Sequence, residues 1–157
     1  MRPGPYAYSR AMIARRRFAR ATYREAPMII ASSHSAGLTE LELSGNPDEY
    51  AEFAATLDSA GGAVALDTTT DVAPYEHAIA TVEVAESSGR EVVISVDRAR
   101  NALVIRGGAD PLRILAGNVR TAAELTDPRH HVHIEYFPGH HYLGEDSLPL
   151  TIAAART

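Results

Sequence analysis

A strand followed by a capped amphipathic helix occurs twice in this chain, and this pattern restricts the fold more than any other feature of the sequence. In the first copy, Asn46 is suited to cap a helix, Pro47 to occupy its first position and Glu49 to complete a capping box. Apolar residues follow with the i, i+3, i+4, i+7 spacing of one buried helix face. These residues are Tyr50, Phe53, Ala54 and Leu57.

The second copy has the same arrangement. Asp110 is predicted to cap the helix and Pro111 to occupy its first position. Its apolar positions are Leu112, Leu115, Ala116, Val119 and Ala123. Segments 41–57 and 103–119 align with an offset of 62 residues, whereas Pro47 and Pro111 align with an offset of 64. The pairs that match at 62 are Leu41/Leu103, Gly45/Gly107, Asp48/Asp110 and Ala54/Ala116. We interpret the pattern as an internal duplication of a strand–helix–strand unit.

Strand-like segments surround the two helices. Residues 79–85, 91–96 and 102–106 are separated by short turns, which predicts a three-strand meander. Further strands are predicted at 38–43, 63–66, 131–137 and 149–153. The predicted fold class is α+β, with a mixed or antiparallel sheet and both helices packed on one of its faces.

Charge divides the chain into two parts. All fifteen basic residues are arginine, and seven of them precede Met28 together with one acidic residue. Residues 28–157 carry eight arginines against nineteen acidic residues, a net charge of −11. We therefore expect a basic, disordered N-terminal extension over residues 1–27 and a single α+β domain over residues 28–157. The acidic domain would repel nucleic acid, so we expect no nucleic-acid partner.

The absence of cysteine excludes disulfides and thiolate metal sites. No apolar run approaches the roughly 18 residues of a membrane span, so we expect no membrane partner and a cytoplasmic location. The oligomeric state stays open.

Histidines are concentrated in the segment 130–143. If residues 131–137 form a strand, His131, His133 and Glu135 share one face, and Val132, Ile134 and Tyr136 face the core. His140 and His141 follow the Pro138-Gly139 turn. Imidazoles and a carboxylate on one face are ligands for zinc, but the favoured interpretation is a solvated strand face without cofactor. A metal-binding protein or metal-dependent enzyme is the alternative.

No complete catalytic constellation is found in the sequence, and we expect a protein that is not an enzyme. The acidic strand residues indicate a surface for a basic partner. Glu83 and Glu91 are the candidate partner-binding residues on that surface.

The segment from His131 to Leu143, followed by Ser147-Leu148-Pro149-Leu150, resembles the C-terminal signature of the thirty-second immunity family of bacterial polymorphic toxin systems. The helix after Gly45 and the segments 93–96 and 103–105 are also similar to that family, so the resemblance covers roughly residues 38–152. It implies a small cytosolic protein that binds and neutralises a cognate toxin, which we expect to be a nuclease. It implies no catalytic residues.

Overall fold

The computed structural model describes residues 28–125 and 127–156. The predicted N-terminal extension of residues 1–27 lies outside them. The helices are α1 (Pro47–Asp58) and α2 (Ala109–Ala122). The strands are β1 (Ile29–Ser35), β2 (Leu38–Gly45), β3 (Gly61–Ala65), β4 (His77–Ala78), β5 (Thr81–Glu86), β6 (Val93–Asp97), β7 (Ala102–Gly107), β8 (His131–Ile134) and β9 (Leu150–Ala154).

The strands form two mixed sheets, which confirms the α+β class but replaces the one expected sheet with two. The five-stranded sheet has the order β4-β1-β2-β9-β8, and the four-stranded sheet has the order β3-β5-β7-β6. The predicted meander is wrong, because β5 pairs with β7 in parallel and β6 lies on the far side of β7. Strands that are adjacent in the sequence usually pair with each other. Here β5 and β6 do not pair, because they belong to different structural units.

These structural units are two repeats, and the predicted internal duplication is confirmed. The first repeat comprises β1, β2, α1, β3 and β5, and the second comprises β6, β7, α2, β8 and β9. Each repeat contributes its first two strands to one sheet and its last two to the other. The order β1-β2-β9-β8 therefore matches β6-β7-β5-β3, with antiparallel, parallel and antiparallel pairings in both.

The register of the duplication is 62 residues. The two strand–helix junctions, Gly45-Asn46 and Gly107-Gly108, are 62 apart, and so are all four buried positions of α1 and their counterparts in α2. These pairs are Tyr50/Leu112, Phe53/Leu115, Ala54/Ala116 and Leu57/Val119. This offset holds for the strand–helix segment, whereas the first strands of the two repeats, β1 and β6, correspond with an offset of 64, since Ile30 and Ile94 occupy equivalent positions opposite Leu43 and Ile105.

The helix caps differ between the repeats. Asn46 accepts from the backbone N–H of Glu49, and the Glu49 carboxylate accepts from the N–H of Asn46, so the predicted capping box is present. In the second repeat the cap is Gly108, without a side-chain hydrogen bond. The prediction that Asp110 caps α2 is wrong, because α2 begins one residue before Asp110 and this carboxylate pairs instead with Arg113 at 2.6 Å.

Each repeat also covers the edge of its own first strand. The connection before β5 runs along β1, and the connection before β9 runs along β6, and two of the backbone hydrogen bonds in each occupy equivalent positions. The bonds are Asp67 N to Met28 O (3.1 Å), Ile79 N to Ile30 O (2.8 Å), Gly144 N to Val92 O (2.9 Å) and Leu148 N to Ile94 O (2.8 Å). The short strand β4 belongs to the connection that covers β1, and β8 and β3 form the opposite edges of the two sheets.

One hydrophobic cluster contains residues from both helices and both sheets, and its largest fully buried side chains include Tyr50, Phe53, Leu103 and Leu143. The helices pack against each other, and α2 also contacts β7 of one sheet and β9 of the other. Neither helix in the described part of the chain is long and apolar enough to cross a membrane.

Candidate partner-binding surface

The histidines of β8 lie as the alternation predicts. His131 and His133 are exposed, with ring centroids 4.6 Å apart, while Ile134 is buried. The Nδ1 atom of His133 also lies 3.2 Å from the Thr151 hydroxyl on β9. The strand ends at Ile134, three residues earlier than predicted, so Glu135 follows it and lies outside the ladder.

The next segment forms an ordered turn. Gly139 has a φ of +84°, a conformation that favours glycine, and the N–H of His140 donates to the carbonyl of Phe137 at 2.9 Å. The Nδ1 atom of His140 accepts from the backbone N–H groups of Tyr142 (3.3 Å) and Leu143 (2.9 Å). Partial burial and the neighbouring His141 lower the pKa of His140 below its ordinary value, which favours the neutral ring that this acceptor role requires.

Ring contacts connect this turn to the core. The His140 ring contacts three others, with distances measured between ring centroids. Phe137 and Tyr142 lie edge-on to it at 4.7 and 4.8 Å, and His141 stacks on it at 5.1 Å. Tyr142 is buried, and its hydroxyl accepts from the side-chain amide of Asn118 on α2 at 2.7 Å. Phe137 itself is 58% exposed. The turn therefore holds an exposed aromatic ring in a fixed position.

The candidate metal ligands are not gathered into one site. Among residues 28–125 and 127–156, no three histidine, aspartate or glutamate side chains are grouped so that they could hold a metal ion. His131 and His133 lie together on β8, whereas the Nδ1 atom of His140 is occupied by two backbone donors.

The two candidate acidic residues have different surroundings. Glu83, on β5, forms a 2.6 Å ion pair with Arg100, which also pairs with Asp97 at 2.8 Å. Glu91 lies just before β6, and its Oε2 atom is so close to Gly144 that a Cβ there would approach it to 2.9 Å. Glu91 is thus beside the histidine-rich segment, while an arginine already neutralises Glu83.

Further acidic residues begin and follow the same turn in the sequence. Glu135, Glu145 and Asp146 are exposed, and residues 130–155 contain no arginine. We define the turn surface as residues 135–141 together with Glu91, Glu145 and Asp146. It combines an exposed aromatic ring with carboxylates, a composition suited to a basic protein partner.

A concave region elsewhere on the domain was not predicted from the sequence. A cleft of about 540 Å³ lies between β1 and β4 on one side and the end of β6 and the following turn on the other. His34, His77, Glu76 and Arg98 are among its polar lining residues, and His34 Nδ1 lies 2.8 Å from the Thr39 hydroxyl. These residues come from separate segments, so no local motif could have revealed the cleft.

A third polar cluster covers the outer face of the five-stranded sheet. Arg156 pairs with Glu42 at 3.1 Å, donates to the carbonyl of Ala73 at 3.1 Å and lies over the ring of Tyr75. The Tyr75 hydroxyl donates to Glu42 at 3.2 Å, and burial and this carboxylate raise the pKa of Tyr75. The cluster holds a loop and the C-terminal segment against the sheet, and its polar groups mostly hydrogen-bond to one another.

The fold is thus a duplicated, strand-exchanged α+β domain whose second repeat contains the histidine-rich turn. Residues 102–155, which comprise that repeat from β7 onward, match the family described as Immunity protein 32. This match supports assignment of the chain to an immunity protein family, and it includes the whole motif from His131 to Leu143. Neither a curated protein nor a solved structure shows significant similarity to the chain.

Proposed function

We propose that this protein is an immunity protein that neutralises a cognate toxin, of the nuclease class, by binding it in the cytoplasm. The observation that carries the proposal is the family match over residues 102–155. Inhibition is stoichiometric and involves no turnover, because the chain acts by occupying or distorting the toxin's active site. No cofactor takes part.

The charge of the domain supports a nuclease as the target. Nucleases bind a polyanion in basic grooves, and residues 28–157 carry a net charge of −11. Five of the eight arginines in this region form ion pairs with acidic residues of the same chain. Much of the positive charge is thereby neutralised locally, and unlike net charges accelerate the encounter with a basic partner.

Co-expression with the toxin encoded by the adjacent gene tests the proposal. We expect cells that produce the toxin alone to stop growing, cells that also produce this chain to grow, and the two proteins to elute together on gel filtration. Association should slow as salt increases, because ions screen the attraction between unlike charges. Loss of growth despite production of folded protein, with no complex on gel filtration, would refute the proposal.

A further inference from the structure

We propose that the turn surface, with Phe137 at its centre, is where this protein contacts its toxin. The inference rests on the proposed function and adds the location of the interface and the chemistry of the partner surface. That surface is basic and has an apolar pocket that accepts one aromatic ring.

Comparison of the two repeats shows that this turn is longer than closure of the sheet requires. In the second repeat, the chain takes ten residues to go from Ile134, on β8, to Gly144, which hydrogen-bonds to β6. In the first repeat, the equivalent path from Val64 to Asp67 takes three. Both paths end in the same hydrogen bond to an equivalent strand. Of the longer segment, Tyr142 packs in the core, whereas Phe137 and His141 are exposed and are not needed to close the sheet.

The turn is held rigidly, as a binding anchor needs to be. His140 accepts two backbone N–H groups and supports the Phe137 ring at 4.7 Å, while the buried Tyr142 fixes the end of the turn against α2. A side chain that is ordered before binding loses less conformational entropy on association. Solvent exposure of an apolar ring costs free energy in the unbound protein, which burial in a partner's pocket recovers.

Exposed aromatic side chains are few, which makes the position of Phe137 specific. In the part of the chain that the structure describes, three large apolar side chains are exposed: Leu38 (70%), Ile114 (40%) and Phe137 (58%). Phe137 is the aromatic one, and aromatic residues, phenylalanine included, are enriched in protein interfaces. Leu38 lies at the start of β2 and gives a matched control of similar exposure.

Charge identifies the partner as basic. Glu91 contacts Gly144 at the end of the turn, and Glu145 and Asp146 follow Gly144 in the chain. With Glu135 they give the turn surface four carboxylates, against an absence of arginine from residues 130–155 and one exposed arginine, Arg90, next to Glu91. A second copy of this acidic chain would be repelled, whereas the basic groove of a nuclease would be attracted. An aromatic anchor within a charged rim is the usual anatomy of a specific, non-obligate interface.

The test measures affinity of the full chain for the purified toxin domain by calorimetry. We expect Phe137→Ala to weaken binding by about tenfold or more, and Leu38→Ala to change it by less than about twofold. The double variant Glu145→Lys with Asp146→Lys should slow association at low salt. Thermal melts of these variants should match the wild type, because the substituted side chains are exposed.

The possible outcomes distinguish the proposed interface from the proposed immunity function. If the wild-type chain binds the toxin and Phe137→Ala binds equally well, the interface lies elsewhere while the immunity function stands. If Leu38→Ala is impaired as much as Phe137→Ala, the turn surface is not the specific contact. If the wild-type chain does not bind, the proposed function fails, and the assignment of this surface fails with it.

Discussion

Asp58 and Arg120 form an ion pair although they occupy equivalent positions, 62 residues apart, in the two repeats. Because each repeat gives its first two strands to one sheet and its last two to the other, an approximate twofold axis relates the repeats. Residues related by such an axis contact each other only near it. The axis that relates the repeats therefore passes between the C-terminal ends of α1 and α2. At this point the duplication has diverged into complementary charges, which a symmetric pair of identical residues could not supply.

We expect Asp58→Arg to destabilise the protein, because it places two guanidinium groups together. Both side chains are partly exposed, so the loss should be at most about 1 kcal/mol. Adding Arg120→Asp restores an ion pair of reversed polarity and should recover most of the loss. Urea denaturation of the wild type, the two single variants and the double variant measures the coupling, and additive effects would contradict this contact.

A hydrogen bond between the repeats gives the second prediction. The hydroxyl of Tyr50, on α1, donates to the carbonyl of Ala153, on β9, and burial raises the pKa of Tyr50 so that the hydroxyl stays protonated. Tyr50→Phe should cost about 1–2 kcal/mol of unfolding free energy, because it leaves that carbonyl without its donor. Tyr75→Phe removes a more exposed hydroxyl and should cost clearly less. Equal losses of unfolding free energy in urea denaturation would show that the Tyr50 hydrogen bond stabilises the protein no more than the Tyr75 hydrogen bond does.

Two glycines should respond to alanine with opposite signs. At Gly107 an added Cβ would lie 2.9 Å from the carbonyl oxygen of Glu91 and 2.9 Å from a methyl group of Val92, so the backbone must shift. We expect Gly107→Ala to destabilise by about 1–3 kcal/mol. At Gly117, within α2, a Cβ meets nothing within 4 Å, and alanine should stabilise the helix by about 0.5–1 kcal/mol. Thermal melts of the two variants check the signs.

His140 makes stability depend on pH. Its folded-state pKa is below the ordinary value of 6.5, so the unfolded chain takes up the proton first as the pH falls. This contribution leaves stability unchanged well above pH 6.5 and reduces it below that value. His140→Asn retains a side-chain acceptor without titrating, and its melting temperature should fall less between about pH 7.5 and about pH 5.5. An unchanged pH dependence would show that the His140 hydrogen bonds are not linked to folding.

Local sequence patterns predicted the helices well and the strand partners poorly. The capping box at Asn46 and the buried face of α1 are encoded within a dozen residues, so they could be read directly. The strand β1 was missed, because Ile29, Ile30 and Ala31 are all buried and give no alternation of polar and apolar residues. The parallel pairing of β5 with β7 depends on the exchange of strands between repeats, which no local pattern records.

The sequence of the histidine-rich motif predicts part of its geometry. Alternation correctly placed His131 and His133 on an exposed face. The use of His140 as a backbone acceptor and the exposure of Phe137 depend on the turn geometry, which the sequence did not reveal. Likewise, the pairing of Glu83, on β5, with Arg100, in the turn between β6 and β7, joins distant segments, so the sequence alone does not distinguish Glu83 from Glu91.

Titration of the toxin's activity with this protein tests the central claim most directly. Purified toxin domain, encoded by the adjacent gene, is held at a concentration well above the dissociation constant while its nuclease activity is measured. Neutralisation by binding predicts a linear loss of activity that is complete near one chain per toxin domain and independent of incubation time. Complete inhibition at far lower ratios that deepens with time would show catalysis, and undiminished activity in excess protein would show that this chain does not neutralise that toxin.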